Sequence, residues 1–318
     1  MVNEAANPIQ PFLDNRGVLI LDGGLASELE RAGLDLNDSL WSARVLLETP
    51  EAISDVHRGY LEAGADCIIS ASYQATIEGF RARGLSLAAS EDSIRNSVRL
   101  AVNAREDFWA EESNTGDRLR PLVAASVGPY GAYLADGSEF TGVYGLDEQA
   151  LVDFHRRRWQ ILASTGADLL ACETIPSLRE ARALARLLTD TPNRWAWFSF
   201  SCRDGEHISD GTPIVECVRA LAAVPRVAAV GVNCTAPVFI PSLVEKIRGV
   251  TDSPVVVYPN SGEGWDAESK SWTGTADPTH FAAAGALWRD AGAQLIGGCC
   301  RTGPEDIRQL RVALDSVS

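Results

Sequence analysis

Three of the seven cysteines stand where a thiol could do chemistry. Cys234 follows an apolar run in Gly231-Val-Asn-Cys234, and Cys299 with Cys300 follows another in Gly297-Gly-Cys-Cys300. Three thiolates on rigid supports make a soft, tetrahedral-leaning site with one open position, suited to Zn²⁺ at Zn–S distances of roughly 2.3 Å. The open position implies catalysis. Adjacent cysteines on a regular strand point to opposite faces, so both reach one ion only if the backbone leaves the strand there. The Gly297-Gly298 pair permits that departure, because glycine tolerates dihedrals that other residues avoid. On spacing alone a strained vicinal disulfide, a redox thiol pair and plain packing stay open beside ligation. The other four cysteines lie in apolar strands (Cys67, Cys172, Cys202) or a helical run (Cys217) and read as small core residues.

Residues 234 and 299/300 meet only if the fold returns its strand ends to one place. Eight short apolar or β-branched runs, separated by helical stretches, predict the strands: Val18–Leu21, Cys67–Ser70, Leu122–Ser126, Asp168–Cys172, Ala196–Ser201, Ala228–Val232, Pro254–Tyr258 and Gln294–Ile296. Several are continuously apolar, as in parallel strands covered on both faces. Helices enter at Thr49-Pro50-Glu51, with proline just inside, and at Ser177–Glu180, with a capping-box pattern. The phrases 62–66 (EAGAD), 164–168 (STGAD) and 290–294 (DAGAQ) repeat one junction, a helix stopped near glycine and followed by a strand. Together these predict a single (β/α)8 TIM-type barrel over residues 1–318, one domain, with a doubly wound sheet as the competing architecture. No Gly/Ser/Pro-rich linker divides the chain, and the stretch from Gly128 to Gly145 reads as a βα-loop insertion. A barrel places functional groups where strands end, and the unusual residues of this sequence fall there.

Composition narrows the function. Of 318 residues 46% are hydrophobic and 22% charged, enough to bury a large core. The 28 basic and 43 acidic residues give a net charge of −15, which argues against nucleic acid or an anionic membrane as partner. The N-terminal MVNEAANPIQPF lacks the pattern of a secretory signal, and no window is apolar enough to span a bilayer, so a cytoplasmic location is expected. Seven irregularly placed cysteines do not suggest a disulfide framework. Oligomeric state is left open.

Asp22-Gly-Gly24, Cys172-Glu-Thr174, Gly231-Val-Asn-Cys234 and Gly297-Gly-Cys-Cys300, in this order, resemble the homocysteine S-methyltransferase family over nearly the whole chain. Ser72-Tyr-Gln-Ala-Thr76 and the stretch from Ser126 to Gly137 look most like the short bacterial and plant members that use S-methylmethionine, rather than the betaine-using branch. The resemblance implies that Cys234, Cys299 and Cys300 hold catalytic zinc. It implies that Asp22, Gly23, Gly24 and Glu173 hold the amino-acid end of homocysteine, with Asn233 supporting the ligand loop. Trp41 matches a donor-pocket tryptophan of the betaine-using relatives. Read without the family, Asp22 begins a glycine-rich turn, Glu173 is a solvated strand-end acid and Trp41 is a core aromatic. Tyr130 and Tyr133, on the long third loop, offer aromatic faces to a cation, worth about 0.5 to 2 kcal/mol, or pack a lid.

The implied reaction moves a methyl group from a sulfonium, S-methylmethionine or next S-adenosylmethionine, to homocysteine sulfur, giving methionine. A free thiol, with a reference pKa near about 8.5, is mostly protonated at neutral pH, and a metal removes that proton. Zn²⁺ with three thiolates carries −1 and a fourth makes −2, so the acceptor sulfur keeps its electron density and the site attracts a cationic donor. Transfer then annihilates charge, which a dry pocket accommodates without reorganising solvent. No general base is needed. This suits His57, His155, His207 and His280, none of which stands at a predicted strand end; they read as surface or helix residues. A cobalamin–folate mechanism has no room for its extra domains. Competing readings are a non-enzymatic metal-binding or redox-sensing barrel built on Cys299-Cys300, and an aldolase-like barrel with Glu173 as base.

Overall fold

The computed structural model describes residues 6–35, 42–116, 118–262, 264–266, 271–273 and 277–315. The eight apolar runs form eight parallel strands: β1 Leu19–Ile20, β2 Cys67–Ile69, β3 Leu122–Val127, β4 Leu169–Ile175, β5 Ala196–Phe200, β6 Val227–Asn233, β7 Val255–Tyr258 and β8 Leu295–Ile296. Their hydrogen-bonded order is β1-β8-β7-β6-β5-β4-β3-β2. A parallel bridge between Leu21 and Cys67 joins the two ends, with Asp22 N donating to Cys67 O at 3.1 Å and Asp66 N to Ile20 O at 2.7 Å. A doubly wound sheet would leave two free edges; this one closes into a (β/α)8 barrel.

Side-chain alternation divides the core into two layers. Along β3, Val123, Ala125 and Val127 pack under the helices, while Leu122 and Ala124 join Leu19, Leu169, Ala171, Trp197, Val256 and Leu295 inside the barrel. The inner cluster also takes Ile9 and Phe12, from the start of the helix Gln10–Arg16, together with Leu119 and Trp195 just before β3 and β5. That helix therefore plugs the end opposite the strand C-termini.

The expected punctuation is partly realised. Thr49-Pro50 opens the helix Pro50–Ala63, and Gly64 (φ +107°) and Gly292 (φ +114°) take the left-handed conformation at their junctions; Gly166 does not. Ser177 Oγ accepts from Glu180 N at 3.2 Å. The reciprocal half of the capping box is absent, because the Glu180 carboxylate turns to Tyr130 N (2.6 Å) and His155 Nε2 (2.8 Å). The insertion after β3 folds into the helix Tyr130–Leu134 and the 3₁₀ turn Ser138–Phe140. After β7 an antiparallel hairpin pairs Gly264–Asp266 with Ser271–Thr273. No helix among the described residues is long and apolar enough to cross a membrane.

Candidate active site

β6 and β8 deliver the three sulfurs. Asn233 ends β6, and Cys234 turns out of the strand at φ +46° while its N–H bonds Tyr258 O at 3.2 Å. β8 stops at Ile296; the chain then crosses the barrel mouth with Gly297 N on Val257 O (3.0 Å), Gly298 N on Asp22 O (3.0 Å) and Cys299 N on Pro259 O (2.8 Å). The backbone thus leaves the strand, as shared use of Cys299 and Cys300 requires. The glycines serve this differently from expectation: neither adopts positive φ. A Cβ on Gly298 would stand 2.2 Å from Thr302 Oγ1, and one on Gly24, across the gap, 2.6 Å from Cys299 O. They permit close approach of two loops, not an unusual dihedral.

The Sγ atoms of Cys234, Cys299 and Cys300 lie within 4.8 Å of one another, and Cys234 and Cys300 are 3.7 Å apart. Sulfurs around a tetrahedral ion with bonds of roughly 2.3 Å stand roughly 3.8 Å apart, so the cluster fits such an ion with little adjustment. Crowded without a counter-charge, the thiols do not ionise together. Hydrogen bonds from Cys234 and Cys299 hold the Cys300 thiol well below its ordinary value. Hydrogen bonding to Cys299 and Cys300, with burial, pushes Cys234 well above its own. A divalent cation is what would let all three carry charge at once.

Two carboxylates stand beside the sulfurs. Asp22 is buried, and its Oδ2 accepts from Ile69 N at 2.7 Å. Burial, and then the charge of Glu173, raise its carboxyl well above the usual range. Glu173 is buried as well, contrary to a solvated strand end, and β4 continues past it to Ile175. Cys172 pairs with Phe198 and Ile175 with Phe200, so β4 carries a one-residue bulge, with Thr174 at φ +57°. Bulges re-aim side chains next to active sites. One Glu173 oxygen accepts from Ser126 Oγ, and the other from Tyr258 OH at 3.1 Å. Burial, reinforced by Cys299, pushes its carboxyl up to about 7 against those two hydrogen bonds.

Asn233 is spent on structure: its Oδ1 accepts from Thr174 N (2.7 Å) and Ser199 Oγ (2.8 Å), and its Nδ2 donates to Thr174 Oγ1 (2.7 Å). It ties the bulge to the strand end that carries Cys234. The three cysteines, Asp22, Glu173 and Asn233, with Gly23 and Gly24, line one cavity of about 160 Å³. A water needs only about 10–15 Å³ by the same measure, so this space suits a solute.

Trp41 lies outside the described residues. Tyr130 is not in the cavity wall; its ring packs against Tyr133, Tyr144 and Phe154 at centroid distances of 5.7, 5.3 and 4.8 Å. The insertion instead sends Glu139 and Phe140 to the cavity, and the loop after β2 sends Tyr73. None of the four histidines lines it: His57 and His155 are buried on helices, and His207 and His280 pair with Asp204 and Asp277. Cys67, Cys172 and Cys217 are buried in the core, and Cys202 is half-buried. Ser126, Ser199, Tyr258 and Glu139 were not singled out from the sequence, since an isolated serine, tyrosine or glutamate carries no local signal of its cross-barrel partner.

Barrel and site together define a class: a (β/α)8 enzyme whose strand ends gather three sulfurs suited to a metal beside buried carboxylates. Residues 19–314 match the family model described as homocysteine S-methyltransferase, and the chain belongs to that family. It is 53% identical over 304 residues, 96% of each chain, to the homocysteine S-methyltransferase YbgG of Bacillus subtilis. It is 51% identical over 311 residues, 94% of this chain and 90% of the relative, to the selenocysteine Se-methyltransferase of Brassica oleracea. The metallated form of the homocysteine methyltransferase MmuM from Escherichia coli superposes with a TM-score of 0.87 at 50% identity, covering 96% of this chain and 99% of that one. The activity that follows from membership at this level of identity is methylation of the homocysteine sulfur.

Proposed function

We propose that the enzyme takes its methyl group from a sulfonium donor, S-methylmethionine first and S-adenosylmethionine next, and that the ion held by Cys234, Cys299 and Cys300 is zinc. The observation that carries this reading is the convergence of three thiols beside two buried carboxylates. Zinc bound there supplies a soft Lewis acid that takes a thiol and lowers its pKa into the neutral range. The chain's own residues do the rest. Asp22 and Glu173 receive the ammonium of homocysteine, whose charge relieves the cost of burying two carboxylates. Ser126 and Tyr258 orient Glu173, and Asn233 fixes the loop bearing Cys234. As the acceptor sulfur attacks, its bond to the methyl carbon forms while the donor's sulfonium–carbon bond breaks; the donor leaves as a neutral thioether. Holding the three atoms in line accounts for several kcal/mol of the barrier lowering.

The deciding experiment loads the purified protein with zinc, supplies homocysteine with each donor and quantifies methionine. Methionine from S-methylmethionine, abolished by chelation and by Cys234→Ser, is expected. Turnover that survives chelation would reject the metal-dependent reading and favour Glu173 as a base. A metal-free protein with a reversible Cys299–Cys300 disulfide would favour the redox reading. The 51% identity to a selenocysteine Se-methyltransferase favours selenocysteine as a second acceptor, since a selenol offers the same soft donor to the same site. We read the chain as one catalytic domain acting on small molecules.

A further inference from the structure

The cavity is lined by three carboxylates, Asp22, Glu139 and Glu173, and by no lysine, arginine or histidine among the described residues. Asp22 and Glu173 sit with the sulfurs and have hydrogen-bond partners. Glu139 differs. It is 9% exposed, and its buried Oε2 has no hydrogen-bond partner. Its position is built rather than incidental: Ser201 Oγ donates to Glu139 O at 3.1 Å, and a Cβ on Gly131 would fall 2.3 Å from Glu139 N. The 3₁₀ turn is thereby pinned between β5's end and the helix Tyr130–Leu134, and Glu139 stands in the wall of a cavity lined by no cationic side chain among the described residues.

Tyr73 shares this cavity wall with Glu139. The Tyr73 phenol is raised first by burial, then by the negative charge of Cys234, and then by that of Glu139. Burial raises the Glu139 carboxyl above its ordinary value, and the charge of exposed Asp136 adds to this. Tyr73, Glu139 and Cys234 line the same cavity.

A sulfonium amino acid carries two cations, a sulfonium and an α-ammonium, separated by a short carbon chain. Methyl transfer requires the sulfonium at the sulfur corner, so the ammonium falls to another part of the same cavity wall. Building on the donor reading above, we propose that Glu139 binds the donor's α-ammonium group and selects sulfonium donors that possess one. S-methylmethionine and S-adenosylmethionine share this feature; dimethylsulfoniopropionate, a sulfonium without an amino group, lacks it.

The test compares wild type with Glu139→Gln, which keeps shape and removes charge, using zinc-loaded enzyme. Initial rates are taken with S-methylmethionine, S-adenosylmethionine and dimethylsulfoniopropionate at saturating homocysteine, and S-methylmethionine binding is measured by calorimetry. The variant should raise the KM for each amino-bearing donor it uses by about tenfold or more, the loss carried by KM rather than kcat. Its use of dimethylsulfoniopropionate and its KM for homocysteine should match wild type. An equal loss with all three donors, or a shift in homocysteine KM alone, overturns the assignment. If wild type makes no methionine from S-methylmethionine, the donor reading has failed, and calorimetry decides separately: weaker binding by the variant supports the Glu139 assignment. Equal binding, or none to either protein, overturns it. Should Glu139→Gln not fold, Glu139→Asp, which withdraws the charge by one methylene, is read the same way.

Discussion

The two ends of the barrel use the same backbone device for different purposes. Near the plugged end, Asn193 (φ +72°) and Arg226 (φ +64°) take the left-handed conformation in the turns leading into β5 and β6. There Arg226 simply donates to Leu188 O and Thr189 O at 3.1 and 3.3 Å. At the open end, Thr174, Cys234 and Arg301 also have positive φ, but amid buried carboxylates and thiols too crowded to ionise together. Non-glycine residues held this way cost about 1–3 kcal/mol each. The contrast teaches that backbone strain alone does not mark function. Strain combined with buried, uncompensated acidity does, because the second cost is recovered only when a cation arrives.

The comparison is sharpened most by removing a ligand at the mouth. Cys234→Ser or Cys300→Ser should lower turnover by about 10³-fold or more and abolish stoichiometric metal binding, with the unfolding midpoint of the metal-free protein nearly unchanged. Metal analysis, assay and calorimetric unfolding on one preparation check this; a variant that binds metal fully and turns over would break the division between the ends. The converse change lies inside the barrel. Leu169→Ala, at a fully buried position of the inner cluster, should cost about 2–5 kcal/mol in urea unfolding while leaving turnover per folded molecule intact.

Next in size is a pH effect remote from the mouth. His57 is buried on the helix Pro50–Ala63 with neither ring nitrogen hydrogen-bonded, and burial lowers its pKa from 6.5 to about 4. The unfolded chain therefore binds this proton more tightly. The associated stability is complete above pH 6.5 and is lost as pH falls towards 4, about 3 kcal/mol in all. Replacing His57 with leucine should flatten that acid limb in unfolding curves measured between those limits.

The smallest expected effect is at Glu173. Its carboxylate must be charged to bind an ammonium, so kcat/KM for homocysteine should rise with pH through about 7. Because the folded value lies above 4.5, the same group favours folding below pH 4.5 and loses that contribution as pH rises towards 7. Glu173→Gln should lower kcat/KM by about tenfold and remove the limb; an unchanged profile would assign the titration elsewhere.

Much of this architecture was legible in the chain. Continuous apolar runs announced parallel strands, and repeated helix–strand junctions announced their alternation with helices. The paired Cys299-Cys300 with Cys234 pointed to soft-ligand chemistry. What escaped depends on contacts across the barrel. The bulge that buries Glu173 is visible only against β5. The glycines of 297–298 matter through Leu21, Asp22 and Thr302, far away in sequence. Tyr130 was legible as an aromatic on a long loop, but its partners Tyr144 and Phe154 set its direction. Glu180 has the spacing of a capping box, yet buried His155 competes successfully for its carboxylate.

The amino-acid sequence by itself determined which segments become strands and which side chains can ligate or ionise, because periodicity and functional groups are local properties. Tertiary structure decided which of those groups share a cavity and which are left without a partner. Closure through Leu21 and Cys67 brings the ends of β6 and β8 to one mouth. Burial and crowding then raise the carboxyl groups of Asp22 and Glu173 and the thiol of Cys234, so that a cation is what lets the whole cluster carry charge together.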